Sequence, residues 1–395
     1  MSGSVIPGLE VFLQDPPAWA ARASLGLLCH PPSVDRNFKP APELVAQHFP
    51  GRLQVLFSPQ HGLRGEKQDN MVSSPDFEDP LLRIPVVSLY GPRLDPPREA
   101  LAKIDLLLVD LQDVGTRVYT YGATLARVMA VAAEVGVKVV VLDRPNPIGG
   151  LQVEGNILRP QWASFVGPYP LPMRHGLTLG ELARYYNATQ NLGCDLTVIP
   201  ARGWRRGQYL DDTNLPWVMP SPNLPTLDGA LVYPGQVLLE GTNLSEGRGT
   251  TRPFELFGAP FLEPRRIAGQ LKDIPLSGVV MREVAFEPTF HKWAGEPCYG
   301  FQLHVTDRQA FKPYYTTLVL LSVIRRLYPE KFAWRLPPYE YETERLPIDL
   351  LTGDAAIREG IDTGTAIAEL EAAWQPDLDE YLQASRKVWL YNQMK

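Results

Sequence analysis

The chain has 395 residues, of which 45% are hydrophobic and 21% are charged, and its formal net charge is -6 at pH 7. These proportions are typical of a globular protein with large buried cores, and the length predicts more than one domain. The acidic balance and the absence of any run of Lys and Arg argue against a nucleic-acid-binding surface.

The first half of the chain alternates short apolar runs with helical patterns. Each run is almost continuously apolar, as expected for strands that are covered on both faces. The clearest helical pattern, at 123–136, places Leu125, Val128 and Ala132 on one stripe and ends at Gly136. Another helix is predicted at 41–49, and strands are predicted at 25–30, 53–58, 84–90, 104–111 and 138–143. This alternation predicts a parallel α/β sheet.

The pattern changes in the second half. A helix is predicted to begin after Thr178, because Thr178 and Glu181 have the spacing of a capping box. Residues 203–265 look loop-rich. Further strands are predicted at 194–201, 278–290 and 300–307, and helices at 314–329 and 365–391. We expect a Rossmann-like α/β domain at 1–265 that carries most of the site loops, and a smaller α/β domain at 266–395 that closes the cleft.

Polar side chains follow three of the predicted strands. Ligands bind at the carboxyl ends of strands in open parallel sheets, so these clusters predict a site at one sheet edge. The clusters are Gln60, His61 and Arg64; Asp113, Arg117, Tyr119 and Tyr121; and Asn146. Structural alternatives stay open. Asp143 would cap the next turn, and His61 would bind a backbone carbonyl. Tyr119 and Tyr121 would form a half-buried platform.

Two further clusters carry candidate site residues. The motif "PMRHG" contains Arg174 and His175. The segment 220–260 contains Asn223, Glu240, Thr242, Glu246 and Arg248. Glycines at 241, 247 and 249 let its backbone approach a ligand closely. The segment lacks the GK[ST] ending of a phosphate-binding loop, and no GxGxxG follows the first strand, so no nucleotide cofactor is predicted.

Other site classes have little support. The candidate metal ligands are His61, Asp113, His175 and His304, but none shows HExxH-like spacing, so no metal is predicted. No GxSxG elbow of a serine hydrolase occurs. The three cysteines lie far apart and none belongs to a CxxC pair, which argues against a disulfide framework.

Cellular location is read from the chain as given. Its first residues lack a charged region followed by a long apolar stretch, and no apolar run approaches the roughly 20 residues of a membrane span. We therefore expect a cytoplasmic protein without a membrane span, or an extracytoplasmic one if a signal segment has been trimmed.

The remaining residue types suit a sugar that bears an acid group. Glycoside hydrolysis needs one or two carboxyl groups beside the scissile bond. Arginine side chains bind a carboxylate through two parallel N–H donors, in a bidentate pair. The faces of Tyr119, Tyr121 and Trp217 are suited to cover a pyranose ring.

Several motifs together resemble one family. They are "FSPQHGLRG", "DLQDVGTRVYTY", "LDRPNP", "PMRHGLTLGELARYY", "PSPNLPT", "EGTNLSEGRGTTRPFE" and "HVTDR". They resemble the exo-β-N-acetylmuramidase family of NamZ type, formerly a domain of unknown function, from about residue 8 to 395. Such enzymes remove terminal N-acetylmuramic acid from the non-reducing ends of peptidoglycan fragments. The resemblance implies a Rossmann-like domain without a dinucleotide, a smaller α/β domain, and a sugar-binding cleft between them.

The chain departs from this family pattern at Gln60, where the family carries its favoured catalytic glutamate. An amide cannot act as a general acid. Three interpretations follow. Another carboxyl group acts instead, the chain is a catalytically silent relative that still binds sugar, or it is a variant that traps substrate. The candidate replacements are Glu66, Glu240, Glu246 and Asp113, with Glu240 and Glu246 favoured because they lie in the best-matching block.

The resemblance also suggests roles for the other residues. Glu246 and Glu240 are the candidate acid, base or charge-stabilising carboxylates, although Glu246 would equally anchor Arg248 or a loop amide. His61 and Asp113 would orient water or the leaving group. Arg64, Arg117, Arg174 and Arg248 would compete for the lactyl carboxylate of muramic acid. The remaining substrate-binding candidates are Tyr119, Tyr121, Asn146, His175, Asn223 and Thr242. A hydrolase that acts on another sugar is a further alternative.

Overall fold

A seven-stranded sheet organises the first part of the chain. This computed structural model describes residues 4–69 and 71–392. The strands are β1 (Leu25–Cys29), β2 (Leu53–Ser58), β3 (Phe77–Glu78), β4 (Pro85–Ser88), β5 (Leu106–Asp110), β6 (Lys138–Leu142) and β7 (Leu196–Ile199). Their order is β3-β4-β2-β1-β5-β6-β7, and only the pair β3 and β4 is antiparallel. The predicted α/β class with a Rossmann-like parallel sheet is confirmed.

One helix precedes the first strand, and four more lie between strands of the sheet. They are α1 (Gly8–Gln14), α2 (Ala41–His48), α3 (Arg98–Leu101), α4 (Tyr121–Val135) and α5 (Leu179–Thr189). Strands β1 and β5 are buried along their whole length, because helices cover both faces of the sheet. The chain direction across the sheet reverses at β1, which has β2 on one side and β5 on the other. Ligands bind beside such a reversal, at the carboxyl ends of the strands.

The strand register sets which residues meet at that edge. Ser58 at the end of β2 is paired with Ser88 at the end of β4. Gln60 and Tyr90, each two residues further along, therefore lie side by side. Beyond β1, the chain leaves β5 and helix α4 begins at Tyr121, with Thr120 as the residue before its first turn. The Thr120 side chain reaches Gln60 there.

A second, smaller sheet follows. It contains β8 (Leu256–Ala259), β9 (Val279–Phe286) and β10 (Cys298–Val305), all antiparallel, in the order β8-β10-β9. The helices of this part are α6 (Leu227–Gln236), α7 (Pro264–Leu271), α8 (Pro313–Leu327), α9 (Pro347–Thr352), α10 (Ala355–Thr363) and α11 (Ile367–Arg386). The apolar core is continuous between the two parts, since Tyr233 of α6 contacts Tyr119 with a ring separation of 5.7 Å. In the described part of the chain, no helix combines the length and apolarity needed to cross a membrane.

The segment 203–265, predicted as loop-rich, also contains regular structure, and this is a correction. Helix α6 was missed because its sequence "LDGALVYPGQ" includes glycines and an internal proline, which weaken a helix in isolation. Packing supplies the stability instead: at Gly235 a Cβ atom would lie only 2.0 Å from the Pro313 carbonyl oxygen, so helices α6 and α8 approach closely. The domain boundary near residue 265 stays a prediction, and β8, which precedes it, pairs with β10.

The predicted capping box at the start of α5 is present, and it belongs to a larger buried cluster. Thr178 accepts a hydrogen bond from the Glu181 amide, and the Glu181 carboxylate accepts one from the Thr178 amide. The Thr178 hydroxyl also donates to Asp143 at 2.7 Å, and the Gly180 amide donates to it at 2.7 Å, so Asp143 binds the start of α5, whereas the structural alternative placed it as a cap of the turn directly after β6. Arg206 donates to both oxygens of Glu181, at 2.6 and 2.8 Å, and stacks on Trp389 at 3.9 Å.

Arg206→Ala is expected to lower the free energy of unfolding by about 3–5 kcal/mol, because Glu181 would stay buried without its counter-charge. The measurement is the urea unfolding midpoint at neutral pH. Arg205→Ala removes the same side chain from an exposed neighbouring position and is expected to change stability by less than about 0.5 kcal/mol. Equal losses in the two variants would contradict the structural role of the Arg206–Glu181 pair.

Candidate active site

A cavity lies at the carboxyl ends of β2 and β5, beside the reversal of strand order. Its enclosed volume is about 30 Å³, room for about two water molecules. It brings together six of the residues predicted from sequence: Gln60, His61, Tyr119, Tyr121, Glu240 and Arg248. The other lining residues are Val118, Thr120, Val166, Ser221, Tyr233, Phe254, Tyr339 and Glu340. Two buried carboxyl groups, Glu240 and Glu340, therefore share one cavity.

Gln60 and Glu340 form the first polar unit of the cavity. The Gln60 amide nitrogen donates to Oε1 of Glu340 at 3.1 Å, and the Thr120 hydroxyl donates to the Gln60 carbonyl oxygen at 2.6 Å. The Tyr90 hydroxyl donates to Oε2 of Glu340 at 2.7 Å. Each Glu340 oxygen thus receives one neutral donor from the wall, and neither is paired with a cation in these contacts.

Burial controls the protonation of Glu340. The residue is 4% exposed, and its pKa is raised to about 7, mainly by desolvation and also by the charge of Glu240, against the opposing effect of the hydrogen bonds from Tyr90 and Gln60. Its backbone φ is 44°, in the left-handed region that non-glycine residues rarely occupy, and Tyr341 follows with φ 69°. Such backbone strain concentrates at functional sites.

Glu240 belongs to a second, charged unit. It lies in the 3₁₀ helix Val237–Gly241 that continues α6. Arg248 donates to Oε1 of Glu240 at 2.7 Å, and the Tyr339 hydroxyl donates to Oε2 at 2.6 Å. The charges of Glu240 and Glu246 raise the pKa of Arg248, against the effect of its burial. Because Tyr339 precedes Glu340 in the chain, the two carboxyl groups are connected through one short segment.

Glu246 lies behind this unit and does not line the cavity. Lys292 donates to its Oε2 at 2.9 Å, and Nε of Arg248 and Nδ1 of His291 each lie 3.2 Å from Oε1. Burial alone would raise the Glu246 pKa, but Lys292, His291 and Arg248 together hold it well below the usual range. Glu246 therefore anchors Arg248, as the structural alternative proposed, and its catalytic role stays a prediction.

His61 is fixed as a neutral imidazole. Its Nδ1 lies 2.7 Å from the Lys67 carbonyl oxygen, which only accepts, so Nδ1 carries the proton and Nε2 is left as an acceptor. Burial lowers the His61 pKa to about 4, and the nearby Arg248 contributes in the same direction. The backbone φ of His61 is 73°, again in the left-handed region.

An aromatic wall completes the cavity. Tyr119 and Tyr121 meet edge to face with ring centres 4.8 Å apart, and Tyr233 meets Phe254 in the same way at 4.8 Å. The Tyr121 hydroxyl donates to the Pro220 carbonyl oxygen at 2.6 Å, which fixes the ring. Such a surface, apolar with polar groups at its edge, is suited to a sugar ring.

Comparison with known proteins places this arrangement in a family. The family model described as "Exo-beta-N-acetylmuramidase NamZ, N-terminal" matches residues 25–228, and the C-terminal model of the same name matches residues 231–391. The chain belongs to the exo-beta-N-acetylmuramidase NamZ family. The resemblance read from its motifs is confirmed.

Individual relatives of this NamZ-family chain agree. It is 41% identical to the peptidoglycan beta-N-acetylmuramidase NamZ of Bacillus subtilis (strain 168), over 97% of this chain and 91% of that protein. Two solved structures of DUF1343 family proteins from Bacteroides fragilis NCTC 9343 are similar. The first has a TM-score of 0.88 at 31% identity, covering 98% of this chain and 99% of the other. The second has a TM-score of 0.77 at 28% identity, covering 99% and 100%.

Two predicted arginines bind backbone groups beside the cavity of this NamZ-family chain. Arg117 donates to three carbonyl oxygens, of Asn156, Leu171 and Leu351, at 2.7–3.1 Å, and so connects three segments. Burial lowers the Arg117 pKa to about 10. Arg174 donates to the Ile148 carbonyl oxygen at 2.5 Å. Neither lines the cavity, and contact of either with a ligand stays a prediction.

The other predicted residues do not line the cavity, and several of them bind other parts of the protein. Nε2 of His175 lies 3.3 Å from Asp113, whose carboxylate also accepts from the Gly115 amide at 2.6 Å. Arg64 and Glu66 are exposed. Three more predicted residues bind nearby loop atoms: Asn146 to the Leu177 carbonyl, Asn223 to the Gln68 carbonyl and Thr242 to the Leu239 carbonyl. None of these residues lines the cavity, and their substrate-binding roles stay predictions. Among residues 4–69 and 71–392, no three His, Cys, Asp or Glu side chains come together as metal ligands.

Sequence reasoning missed Glu340, Tyr339 and Tyr90. Glu340 lies in "LPPYEYETE", which has no helix or strand period and sits 280 residues beyond Gln60. The available signal was an acidic residue flanked by tyrosines directly after two prolines, which indicates a rigid, shaped loop.

Glu246→Gln is expected to lower the free energy of unfolding by about 3–5 kcal/mol at neutral pH, because it breaks a buried ionic cluster. The folded pKa of Glu246 is depressed, so its contribution is present above the unfolded pKa of about 4.3 and is lost as pH falls through the folded value. The difference from wild type should therefore shrink in acid.

Urea unfolding at several pH values measures this difference. Glu287→Gln, at an exposed position, is the matched control and is expected to leave stability nearly unchanged. A difference between wild type and Glu246→Gln that stays constant from neutral to acid pH would show that the carboxylate charge is not what stabilises the cluster.

Proposed function

We propose that this protein is a glycoside hydrolase that releases terminal N-acetylmuramic acid from the non-reducing ends of peptidoglycan fragments. The observation that carries the proposal is the pair of buried carboxyl groups, Glu240 and Glu340, in one cavity of a NamZ-family chain. Glycosidases cleave the bond between two sugars with carboxyl groups placed around it. The relative that is 41% identical carries the name of a peptidoglycan beta-N-acetylmuramidase, which supports the same substrate class here.

The two carboxyl groups have different environments and so suit different tasks. Glu240 is held by a guanidinium and a tyrosine hydroxyl, contacts that favour a fixed negative charge. A fixed carboxylate stabilises the positive charge that develops on the sugar ring as the glycosidic bond breaks. Glu340 is held by neutral donors in a desolvated position.

Other residues that line the cavity would bind the sugar. Of the four arginines predicted to bind the lactyl carboxylate, Arg248 is the one that lines the cavity, and we assign it that contact. Lys292 and His291 share the charge of Glu246, so Arg248 is not committed to Glu246 alone. The free Nε2 of His61 is suited to accept a hydrogen bond from a sugar hydroxyl or from the attacking water.

The cavity must open to admit a sugar. Its enclosed volume of about 30 Å³ is far below the roughly 300 Å³ of a small-molecule site. The Glu340 amide lies 3.3 Å from the sulfur of Met71, so the segment that carries Met71 contacts the segment that brings Glu340 to the cavity. Separation of these two segments is the simplest way to admit the ring.

The main alternative is a catalytically silent sugar-binding protein, suggested by Gln60 in place of a family glutamate. The assay that separates the two is release of N-acetylmuramic acid from a chromogenic muramide and from a disaccharide with N-acetylmuramic acid at the non-reducing end. Turnover supports the hydrolase. Saturable binding without turnover at any pH would replace it with the binding protein.

Glu240→Gln is expected to lower kcat about 10²–10³-fold with a smaller change in KM, because the lost charge matters most in the transition state. Steady-state hydrolysis of the chromogenic muramide measures both constants. Glu330→Gln makes the same change at an exposed position and should leave both constants at wild-type values. A Glu240→Gln enzyme with wild-type kcat would remove Glu240 from the reaction.

A further inference from the structure

Glu340 is the carboxyl group best placed to supply a proton in the cavity, and the sequence did not indicate it. We propose that Glu340 is the general acid that protonates the glycosidic oxygen, and that Gln60 and Tyr90 are positioning residues that hold its carboxyl group. This assignment rests on the proposed hydrolase function. It adds the general acid, a role that the amide of Gln60 cannot perform.

The geometry around Glu340 is specific. Gln60 donates to Oε1 at 3.1 Å and Tyr90 donates to Oε2 at 2.7 Å, so the carboxyl plane is fixed from two strand ends. Those two residues are side by side because Ser58 and Ser88 are in register. Gln60 is itself oriented, since its carbonyl oxygen accepts from Thr120 and its amide group must then face Glu340.

Glu340 is the acceptor in its hydrogen bonds with Gln60 and Tyr90, so its own proton must point elsewhere. Gln60 and Tyr90 donate into the carboxyl group, and Tyr90 oxygen accepts from the Met71 amide at 3.1 Å. No acceptor among these partners competes for a proton on Glu340. A protonated Glu340 therefore has its O–H available to a ligand in the cavity.

The surroundings favour a proton on Glu340 near neutral pH. Desolvation raises its pKa to about 7, and the charge of Glu240 acts in the same direction. Hydrogen bonds from Tyr90 and Gln60 and the charge of Arg248 oppose the shift. These groups come from the loops after β2 and β4 and from the 240–248 segment. An acid with a pKa near the working pH is the most effective proton donor.

The proposed step moves one proton and breaks one bond. The proton leaves Glu340 for the glycosidic oxygen, and the bond from that oxygen to the anomeric carbon of N-acetylmuramic acid breaks, with its electron pair staying on the oxygen. Glu240 stabilises the positive charge on the sugar. Water then bonds to the anomeric carbon and loses one proton to solvent, and the Glu340 carboxylate regains a proton from solvent.

Two substrates with different leaving groups test the acid role. The leaving group of the disaccharide is the second sugar, a poorly acidic alcohol whose oxygen must be protonated as the bond breaks. The leaving group of the nitrophenyl muramide is a nitrophenolate, which departs without protonation. Glu340→Gln is therefore expected to lower kcat/KM for the disaccharide about 10²–10⁴-fold, and for the nitrophenyl muramide by less than about 10-fold. Glu344→Gln, four residues along and exposed, is the matched control and should match wild type on both substrates.

The comparison also separates this proposal from the function on which it rests. Wild-type protein that cleaves neither substrate overturns the proposed hydrolase, and the acid role falls with it. If wild type is active and Glu340→Gln loses the same activity on both substrates, or loses none, only the assignment of Glu340 as the acid is overturned. If Glu340→Gln is inactive on both because it fails to fold, Glu340→Asp decides: partial recovery of disaccharide cleavage supports the role, and no recovery overturns it.

The pH profile gives a readout that a purely structural role would not change. The rate on the disaccharide should fall as pH rises through about 7, where Glu340 loses its proton. Gln60→Glu places a second carboxyl group about 3.1 Å away. Two such groups share a proton, so the alkaline limb should move to higher pH. Gln383→Glu, at an exposed position on α11, should leave the limb in place.

Infrared difference spectra follow the same proton without turnover. Subtraction of the Glu340→Gln spectrum from wild type should isolate one protonated-carboxyl band that disappears as pH rises through neutrality. A Glu340 that is ionised across this range, or an alkaline limb that Gln60→Glu leaves unmoved, overturns the proposal.

Discussion

A row of buried charges fixes the geometry of the cavity. It runs from Lys292 to Glu246, from Glu246 to Arg248, and from Arg248 to Glu240, whose second oxygen is bound by Tyr339. Each ion would be costly to bury alone, so each requires its neighbour at hydrogen-bond distance. The row crosses several chain segments and ends one residue before Glu340. The position of Glu340 thus depends in part on Lys292 and Glu246, two charged groups that do not line the cavity.

The two carboxyl groups at the end of this row illustrate how surroundings divide labour between identical chemical groups. Glu240 accepts a hydrogen bond from the guanidinium of Arg248, a contact suited to a charged carboxylate. Glu340 faces an amide and a phenol in a desolvated position, and its contacts are those of an acid that can be neutral. Gln60 stands between the sheet edge and Glu340 as a neutral donor. A neutral group there orients the carboxyl without adding a charge that would compete for its proton.

Much of the fold was predictable because parallel strands and their apolar runs are local features. The predicted strands coincide with β1, β2, β4, β5, β6, β7, β9 and β10, and the polar clusters after β2 and β5 do reach one cavity. Helix α6 was not predictable, because its stability comes from contact with α8 and not from its own residues. Arg117 shows a further limit: an arginine that holds three backbone carbonyls and one that holds a carboxylate look the same in sequence.

Glu340 was not predicted for another reason: the residues that set its environment, such as Gln60 and Tyr90, lie far from it in the chain. That same arrangement has a consequence for the order of events. The Glu340 amide contacts the Met71 sulfur, so movement of these two segments apart to admit a sugar would separate the acid from Gln60 and Tyr90 until the segments come together again. With a sugar bound, the acid would regain the contacts with Gln60 and Tyr90 only if the ligand is small enough for the segments to close around it. A glycan that continued past the pocket on both sides would hold the segments apart, so attack at chain ends would follow from closure and not from recognition of the end itself.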